Sequence, residues 1–408
     1  MASFNLTNFD AAMKDMYPYK KVENMVYKNN PLLAMLPKET TFPGRNATYA
    51  VEYGMTNGRS ATFATAQNNR SGTQLEDFVV TRVKDYAVVS VDNETLLAAD
   101  GNEGSLLDVA KSKTDSALHA LSRAMGRDVF RSGTGSIGQI HASPSLGNTT
   151  VELVAGHAIN FEVGMRLKGS ATDGSALYSG TLEVTGVDRD NDVLTVVGNA
   201  TDSIASLSAD DFLYVEGDFG AKMSGLDAWL PSSVTSDTFF GVDRTVDSTR
   251  LGGQRQSYAN SVMETIINAG VKVAREGGRP DALFMNPTDW AELAIDLEGR
   301  AAVAGANNRR RYEAGESDAS FGFSSLSVAT PTGMVECFAD HNCPINVAYM
   351  LQLDTWKLKS LGPAPRMLDF DGLNGIRQSN EDGVEYRFGY YGNILCTAPG
   401  YNCRIALA

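Results

Sequence analysis

Residues 281–290 have the sequence Asp281-Ala-Leu-Phe-Met-Asn-Pro-Thr-Asp-Trp290. Residues 281–285 form a short, mostly apolar run, which is typical of a buried strand. Asn286 and Pro287 follow it, and proline suits the first turn of a helix because its missing N–H would be unpaired there anyway. The segment therefore predicts a buried strand that passes directly into a helix.

Elements of both types surround this unit. Before it, residues 257–275 have the periodicity of an amphipathic helix that stops at Gly277-Gly278. A longer helix of about 40 Å is predicted at about 105–132, ending before Gly133. The C-terminal pattern predicts strands at residues 326–328, 334–338, 347–353, 384–391 and 403–407. Segregated strands with a few helices indicate the α+β class.

Two β-rich segments lie on either side of the long helix. Residues 48–53 and 77–91, rich in Val, Thr and Tyr, predict a long hairpin with a polar tip. An isolated two-stranded hairpin is at best marginally stable in water, so we expect it to lie on its own domain or on another chain. Residues 145–218 alternate short strand-like runs with Gly, Asp and Asn turns, which predicts a small barrel or sandwich.

The composition of the chain argues against several classes of function. The 408 residues include 35 Lys and Arg against 49 Asp and Glu, a net charge of −14, which disfavours a protein that wraps nucleic acid by bulk attraction. No apolar run approaches the roughly 18 residues that a membrane helix needs. The cysteines are confined to the last fifth of the chain, and we expect free thiols rather than a disulfide framework. They are Cys337, Cys343, Cys396 and Cys403.

Two motif-like patterns have simpler explanations than ligand binding. Gly133-Thr-Gly-Ser-Ile-Gly138 has the glycine spacing of a dinucleotide fingerprint, but it follows a helix and leads into β structure. We therefore expect a flexible connector or a helix cap. Asp188, Asp190 and Asp192 alternate as in a calcium loop, but the glycine and the bidentate glutamate of such a loop are missing, so a hairpin turn is favoured.

No catalytic or cofactor site stands out. Cys337, His341 and Cys343 are close in sequence, but they lack the short spacing of a structural zinc site, so packed thiols are favoured. Arg309-Arg310-Arg311 could attract a phosphate-bearing partner, although three charges in a polar loop are more often simply solvated. The sequence thus predicts no catalytic residue, no cofactor and no bound metal.

The order of arm, long hairpin, long helix and α+β domain resembles the major capsid proteins of tailed bacteriophages, whose architecture is called the Johnson fold. The resemblance is carried by the strand-to-helix segment Phe284–Trp290, the strand Ala348–Trp356 and the segment Asp382–Gly389. It implies a Johnson-type capsid fold with an inserted small all-β domain. The implied domains are an N-terminal arm at 1–40, an extended hairpin (E-loop) at 41–93, a peripheral domain with the spine helix at 94–144, the β insertion at 145–218, an axial domain at 219–360, and C-terminal strands at 361–408 that return to the axial and peripheral domains.

The resemblance also implies a function and partners. The implied function is a structural protein that self-assembles through pentamers and hexamers into an icosahedral or prolate head shell around double-stranded DNA. It would be a virion component, assembled in the host cytoplasm. The implied partners are copies of itself, a separate scaffolding protein, a portal protein and a decoration protein, with only weak or indirect contact to DNA and no membrane.

The resemblance places assembly contacts on the arm, on the hairpin and on an axial loop. We expect them at Phe4, Leu6, Phe9, Tyr49, Tyr53, Arg59, Arg70, Phe78, Arg309, Arg310 and Arg311. Some family members link a hairpin lysine covalently to a neighbour's asparagine. Residues 41–83 contain no lysine, so no such cross-link is expected here.

Two other functions agree less well with the pattern. A shell of the same fold could enclose cargo enzymes, as an encapsulin-like compartment does. A glycan-binding or enzymatic protein centred on residues 145–218 would be a compact monomer, and it would leave the arm and the hairpin without a purpose.

Overall fold

The computed structural model describes residues 30–42, 44–92, 103–144, 146, 148–234, 238–303, 325–368, 375–378 and 382–408. Its α-helices are α1 Pro31–Met35, α2 Phe63–Asn68, α3 Glu103–Asp128, α4 Ala200–Ser203, α5 Leu226–Trp229, α6 Val262–Arg275 and α7 Pro287–Val303. Its β-strands are β1 Lys38–Glu39, β2 Asn46–Gly54, β3 Gln74–Thr81, β4 Val83–Asp92, β5 Ser136–Gln139, β6 Thr150–Glu152, β7 Arg166–Ser170, β8 Leu182–Asp188, β9 Val193–Val196, β10 Phe212–Val215, β11 Thr238–Phe239, β12 Val242–Asp243, β13 Gln254–Gln256, β14 Ala282–Met285, β15 Ser325–Thr330, β16 Gly333–Ala339, β17 Val347–Leu351, β18 Trp356–Ser360, β19 Arg366–Met367, β20 Ile376–Arg377, β21 Gly383–Cys396 and β22 Cys403–Ala406.

The strand-to-helix segment folds as its sequence predicts. All four residues of β14 are buried, and the strand passes directly into α7. The Asn286 side chain accepts a hydrogen bond from the Thr288 N–H at 3.0 Å, which satisfies one of the unpaired donors of the first helical turn. Asp289 Oδ2 accepts from the Asn346 N–H at 3.0 Å and so fixes the turn that leads into β17.

β14 lies inside a six-stranded mixed sheet of order β13-β22-β17-β14-β16-β15. It pairs antiparallel with β17 and parallel with β16. Helix α6 begins at Val262 rather than at the predicted residue 257, because Ser261 caps it by accepting from the Glu264 N–H at 3.3 Å. Apolar residues of the two helices and the sheet share one core, which includes Ile266, Val273, Leu283, Leu293, Val335, Met350 and Ile405.

The hairpin prediction is wrong in its second strand. Residues 77–91 do not form one strand, because the chain breaks at Arg82 into β3 and β4. β3 pairs with β2, whereas β4 leaves the hairpin and pairs antiparallel with the 14-residue strand β21. β21 is the central strand of a second six-stranded sheet, in which it also pairs with β18, β19 and β20.

Helix α3 is the long helix that the sequence predicts, and it ends four residues before the expected end at 132. After Val129 the α-helical pattern ends, because the N–H groups of Phe130 and Arg131 donate to carbonyls three residues back, and a distant segment binds the carbonyls of Val129 and Arg131. The Leu226 N–H donates to the Val129 carbonyl at 2.7 Å, and the Gly225 N–H donates to the Arg131 carbonyl at 3.0 Å. Partners this far away in the sequence cannot be recognised from a local pattern.

Six strands between residues 136 and 217 form a closed antiparallel barrel, called here the barrel (residues 136–217). Its strand order is β5-β10-β7-β8-β9-β6. A bridge between Ile140 and Leu153 joins the ends of β5 and β6 and closes the circuit, so no edge strand remains. The barrel begins at β5, before the predicted boundary at residue 145. Its interior holds Ile137, Ile140, Phe161, Leu167, Leu182, Leu194, Ile204 and Leu213, all fully buried.

Candidate assembly surfaces

The base of the β2–β3 hairpin is anchored in the protein's own core. Val51, Phe78 and Val80 are buried in the main hydrophobic cluster, and the Phe78 ring lies 5.2 Å from the Trp229 ring, centroid to centroid. The prediction that Phe78 contacts a neighbouring subunit is therefore wrong, since its side chain is fully covered by its own chain. The signal that could have shown this is the period-two placement of Phe78 and Val80 on one face of β3.

Tyr49 and Tyr53 lie on β2 and are half-buried against the same cluster. The Tyr53 hydroxyl donates to Gln74 Oε1 at 3.5 Å across the hairpin. The Tyr53 carbonyl accepts from Arg250 Nη1 at 2.6 Å, which ties the outer end of the strand to the body. Both tyrosines thus make internal contacts at the hairpin base, and their contact with a second copy stays a prediction.

The hairpin tip (residues 55–73) extends beyond these anchors. It contains the ordered helix α2, yet the described part of the chain buries none of the residues of α2. Met55 is 81% exposed and Phe63 is 83% exposed. The Thr62 hydroxyl donates to the Thr65 hydroxyl at 2.7 Å, and the Asn57 N–H donates to the Ser71 hydroxyl at 2.8 Å. The tip is therefore shaped by its own hydrogen bonds while its apolar side chains remain uncovered.

The hairpin tip is positively charged although the protein is acidic. Arg59 and Arg70 are exposed, and residues 54–75 contain no Asp or Glu. Arg70 Nε donates to the Gln67 carbonyl at 2.8 Å, which holds this side chain along α2. The hairpin tip is therefore a basic surface on a chain whose net charge is −14.

The other predicted contacts lie outside the described residues. These are Phe4, Leu6, Phe9, Arg309, Arg310 and Arg311.

Residues 30–36, predicted as part of the arm, dock on the body. Leu32, Leu33 and Leu36 are buried in the main cluster. The Asn30 side-chain oxygen accepts from Asn342 Nδ2 at 2.7 Å. The adjacent leucines Leu32 and Leu33, followed by Leu36, are an apolar signal for burial that was not used in the prediction of a free arm.

A buried group of charges joins α3, β4 and the end of the barrel; we call Asp85, Arg127, Asp128, Asp218 and Lys222 the junction cluster. Lys222 Nζ lies 2.7 Å from Asp85 Oδ2 and 3.1 Å from Asp218 Oδ2. Burial disfavours the charge on Lys222, but the carboxylates of Asp128, Asp85 and Asp218 outweigh it and raise its pKa. Burial raises the pKa of Asp128 and of Asp218. Sequence reasoning could not find this cluster, because its members come from three separate segments.

A cleft of about 510 Å³ lies beside the junction cluster, between α3 and the barrel. Its walls include His119 and Arg123 from α3 and Glu162 from the barrel. Arg123 forms an ion pair with Glu162 across the cleft, so opposite charges on its walls are already matched within the protein.

The motif-like aspartates have structural roles in a hairpin turn. Asp188 accepts from the N–H groups of Asp190 and Asn191, both at 3.1 Å. Asp192 accepts from the Gly156 N–H at 2.9 Å and the Ala158 N–H at 3.0 Å. Among the described residues, no three His, Cys, Asp or Glu side chains are grouped so as to hold a metal ion.

The glycine motif lies between α3 and β5, and Gly133 and Gly135 have positive φ angles of 86° and 92°. It connects a helix to a strand, as the sequence analysis expects, which is the reverse of a dinucleotide-binding order.

The four cysteines are buried free thiols, as the sequence predicts. Burial raises the pKa values of Cys337, Cys396 and Cys403 to about 12, and that of Cys343 well above its usual range. They therefore remain protonated and unreactive at neutral pH. No helix in the described ranges is both long and apolar enough to cross a membrane.

Comparison with solved structures identifies the fold. No family model matches the chain, and no curated protein matches it either. The structure is similar to that of the cyanophage A-1(L) capsid asymmetric unit, with 12% sequence identity, a TM-score of 0.54 and coverage of 93% of each chain. At this identity the likeness shows a shared fold, so the predicted α+β capsid fold is confirmed in its coarse form.

Weaker similarities accompany this one. The capsid of a native GTA particle has 9% identity and a TM-score of 0.45, covering 93% of this chain and 90% of that one. The SrpI encapsulin of Synechococcus elongatus PCC 7942 has 8% identity and a TM-score of 0.45, covering 100% of this chain and 96% of that one. With TM-scores below 0.5, these two add nothing to the fold assignment.

Proposed function

We propose that this chain, which has a phage capsid fold, is the major capsid protein of a tailed bacteriophage. It assembles through pentamers and hexamers into an icosahedral or prolate shell around double-stranded DNA, in the host cytoplasm, and becomes a component of the virion. Its partners are further copies of itself, a scaffolding protein, a portal protein and a decoration protein, with only weak contact to the packaged DNA.

In this proposal each domain of the capsid protein is assigned to a segment of the chain. Residues 41–81 form the extended hairpin, and β4 and α3 belong to the peripheral domain. Residues 219–360 form the axial domain, whose sheet is centred on β14, and the barrel is an insertion between the peripheral and axial domains. Residues 1–40 form the arm, anchored at its end by residues 30–36.

The observation that carries the proposal is the hairpin tip. α2 is an ordered helix of six residues, yet its Phe63 side chain is 83% exposed. Such a short helix gains little stability from its own hydrogen bonds, so an ordered helix with exposed apolar residues needs a partner surface. Lattice contacts of an obligate assembly are of this apolar kind. The basic charge of the tip favours an acidic partner, and a second copy of the chain is one.

Replacing Phe63 with Ser tests the proposal. We expect the Phe63→Ser variant to form no shells, because the apolar contact with the neighbouring copy is lost. The free energy of unfolding of the unassembled chain should change by no more than about 0.5 kcal/mol, since the side chain makes no buried contact at home. Shell formation is measured by light scattering and negative-stain microscopy after expression with the neighbouring genes.

The matched control is Val246→Ser, which removes an apolar side chain that is 62% exposed outside the hairpin. We expect this variant to assemble as the parent does. A Phe63→Ser chain that forms normal shells would contradict the assembly role of the tip. A parent chain that remains monomeric even with its neighbouring genes would contradict the proposed function itself.

A further inference from the structure

Arg131 directly follows the end of α3, and its backbone is held on both sides. Its N–H donates to the Asp128 carbonyl at 3.2 Å, and its carbonyl accepts from the Gly225 N–H at 3.0 Å. The neighbouring Phe130 ring packs 6.1 Å from the ring of Tyr349 on β17, centroid to centroid. The Arg131 side chain therefore starts from a fixed point between the end of α3 and β17.

The guanidinium group of Arg131 has no charge partner in the described part of the chain. Its Nε atom is buried without a hydrogen-bond acceptor, and the side chain forms no ion pair with a described carboxylate. Arginine carries five N–H donors and a permanent charge, so burying it unpaired is costly. Burial accordingly lowers the pKa of Arg131, and the like charge of Arg127 lowers it further. Arg127 itself is paired with Asp128 at 3.2 Å.

The carboxylates near Arg131 are already engaged. Asp227 is the acid that most raises the pKa of Arg131, but its Oδ1 lies 3.4 Å from Arg404 Nη2 and accepts from the Tyr349 hydroxyl at 3.5 Å. Both oxygens of Asp192, on the adjacent barrel loop, accept from backbone N–H groups. The Arg404 Nε atom is also buried without a partner. Two arginines thus share the Asp227 carboxylate, which leaves one positive charge in excess.

The barrel supplies a further donor through His157. Its Nδ1 accepts from the Gln139 N–H at 3.0 Å, so the neutral ring carries its proton on Nε2. Burial and then the charge of Arg131 lower the pKa of His157 to about 4, so the ring is neutral at pH 7 and lies close to Arg131. A Cβ added to Gly156 would lie 2.3 Å from Ile345 Cδ1, which brings this barrel loop against the segment before β17.

We propose that Arg131, together with Arg404 and the His157 Nε2–H, binds a small oxyanion of the phosphate type where α3, the barrel loop and β17 meet. Arginine suits this ligand because its planar fork donates paired hydrogen bonds to two oxygens of one anion. The buried position of the Arg131 Nε atom favours a free ion over a phosphate within a DNA duplex, which reaches only exposed groups. The bound anion compensates the excess charge and joins the barrel to the rest of the subunit.

Equilibrium dialysis of the full-length, unassembled chain against radiolabelled inorganic phosphate at pH 7.5 and constant ionic strength tests the site. We expect the parent to take up close to one phosphate per chain in a saturable manner, and Arg131→Met to take up none. Arg166→Met is the matched control, because it removes a barrel arginine that pairs with Glu216 at the surface. This control should bind phosphate as the parent does.

Urea unfolding gives a second readout with a sign of its own. In chloride buffer, Arg131→Met should unfold at no lower urea concentration than the parent, because it removes a buried charge that lacks a partner. With phosphate at 100 times its dissociation constant, the ratio of folded to unfolded parent should rise about 100-fold. The Arg131→Met chain should gain only the general stabilisation that comes from exclusion of phosphate from protein surfaces.

The proposal is overturned if the parent takes up no phosphate, or if Arg131→Met binds phosphate and is stabilised by it as the parent is. Should Arg131→Met fail to fold, Arg131→Lys replaces it, since lysine keeps the charge but lacks the planar fork. We expect Arg131→Lys to bind phosphate at least about tenfold more weakly, and an affinity equal to that of the parent would overturn the proposal. These measurements use the unassembled chain, so their outcome is independent of whether shells form.

Discussion

Replacing Lys222 with Met should destabilise the protein by about 3 kcal/mol at pH 7.5. Lys222 is 6% exposed and lies within 3.1 Å of two carboxylates, Asp85 and Asp218. Removing one partner of a buried ion pair typically costs about 3–5 kcal/mol, because the remaining charge is left without compensation. We expect the lower end of this range, since the carboxylate side chains are 14% and 21% exposed and water can solvate them in part.

The loss of stability in the Lys222→Met variant should depend on pH, and the direction of that dependence follows from the pKa of the carboxylates around Lys222. Burial already raises the pKa of Asp218 in the parent protein, and removing Lys222 raises it further. A carboxyl group whose pKa is higher in the folded than in the unfolded state costs stability when it ionises. This cost is absent below the unfolded pKa near 4 and grows as the pH rises. The deficit of the Lys222→Met variant should therefore be largest at pH 7.5 and shrink towards pH 4.5.

Urea unfolding of the unassembled chain at pH 7.5, 6 and 4.5 measures this deficit. Arg166→Met is the matched control, because Arg166 pairs with Glu216 at the surface and its loss should cost less than about 1 kcal/mol at any of these pH values. Adding Asp85→Asn to Lys222→Met should recover part of the deficit at pH 7.5. The reasoning is refuted if the Lys222→Met deficit is below about 1 kcal/mol, or if it is the same at all three pH values.

Three further substitutions test other parts of the structure, each by urea unfolding. Burial raises the pKa of Asp289 to about 6. The protonated side chain therefore contributes stability that is complete below about pH 4 and is lost as the pH rises through 6. Asp289→Asn should reduce the pH dependence of the free energy of unfolding by about 1–3 kcal/mol. An unchanged pH profile would contradict that assignment. Asn402→Ala should cost about 2–4 kcal/mol, because the Trp356 indole N–H, which donates to Asn402 Oδ1 at 2.8 Å, would be left buried and unpaired; a loss under 1 kcal/mol would show that another acceptor replaces it. Gly135→Ala should cost more than about 1 kcal/mol, because its φ is 92° and because an added Cβ would lie 2.4 Å from the Asp218 carbonyl oxygen. Gly72→Ala has open space around it and should be nearly neutral; equal effects of the two substitutions would refute the claim that position 135 requires glycine.

The elements predicted correctly from sequence are those whose signals are local. The strand β14 and the helix α7 follow from a four-residue apolar run and from Asn286-Pro287, whose side chain and ring set the start of the helix. Short strands such as β16 and β17 are likewise marked by their own composition and turns. For these elements, interactions within a few residues agree with the final packing, and a local pattern is sufficient.

The elements predicted incorrectly depend on distant partners. Nothing near Arg82 shows that β4 leaves the hairpin to pair with β21, about 300 residues further along the chain. The early end of α3 has the same cause, since residues 225–226 bind the backbone that would have continued the helix. The junction cluster around Lys222 is invisible for the same reason, because its acidic members become neighbours only in the folded chain.

Phe63 and Phe78 show why the candidate assembly site could be located in sequence only as a region. Both phenylalanines belong to one hairpin, and their residue type alone does not show which of them is buried and which is exposed. In the fold, Phe78 packs against Trp229 inside the protein, whereas Phe63 points away from every described partner. The two residues differ in their position: Phe78 lies on β3, which packs on the core, whereas Phe63 lies on α2, which extends beyond the core. An apolar side chain becomes evidence for an interface only when its own chain leaves it uncovered, and that condition is a property of the folded chain.

The charges follow the same division, because the uncovered apolar tip is basic while the barrel, which lacks such a surface, is strongly acidic. In the proposed shell, attraction between copies would therefore act at the hairpin tip, where apolar contact can follow, and repulsion would act at the barrel.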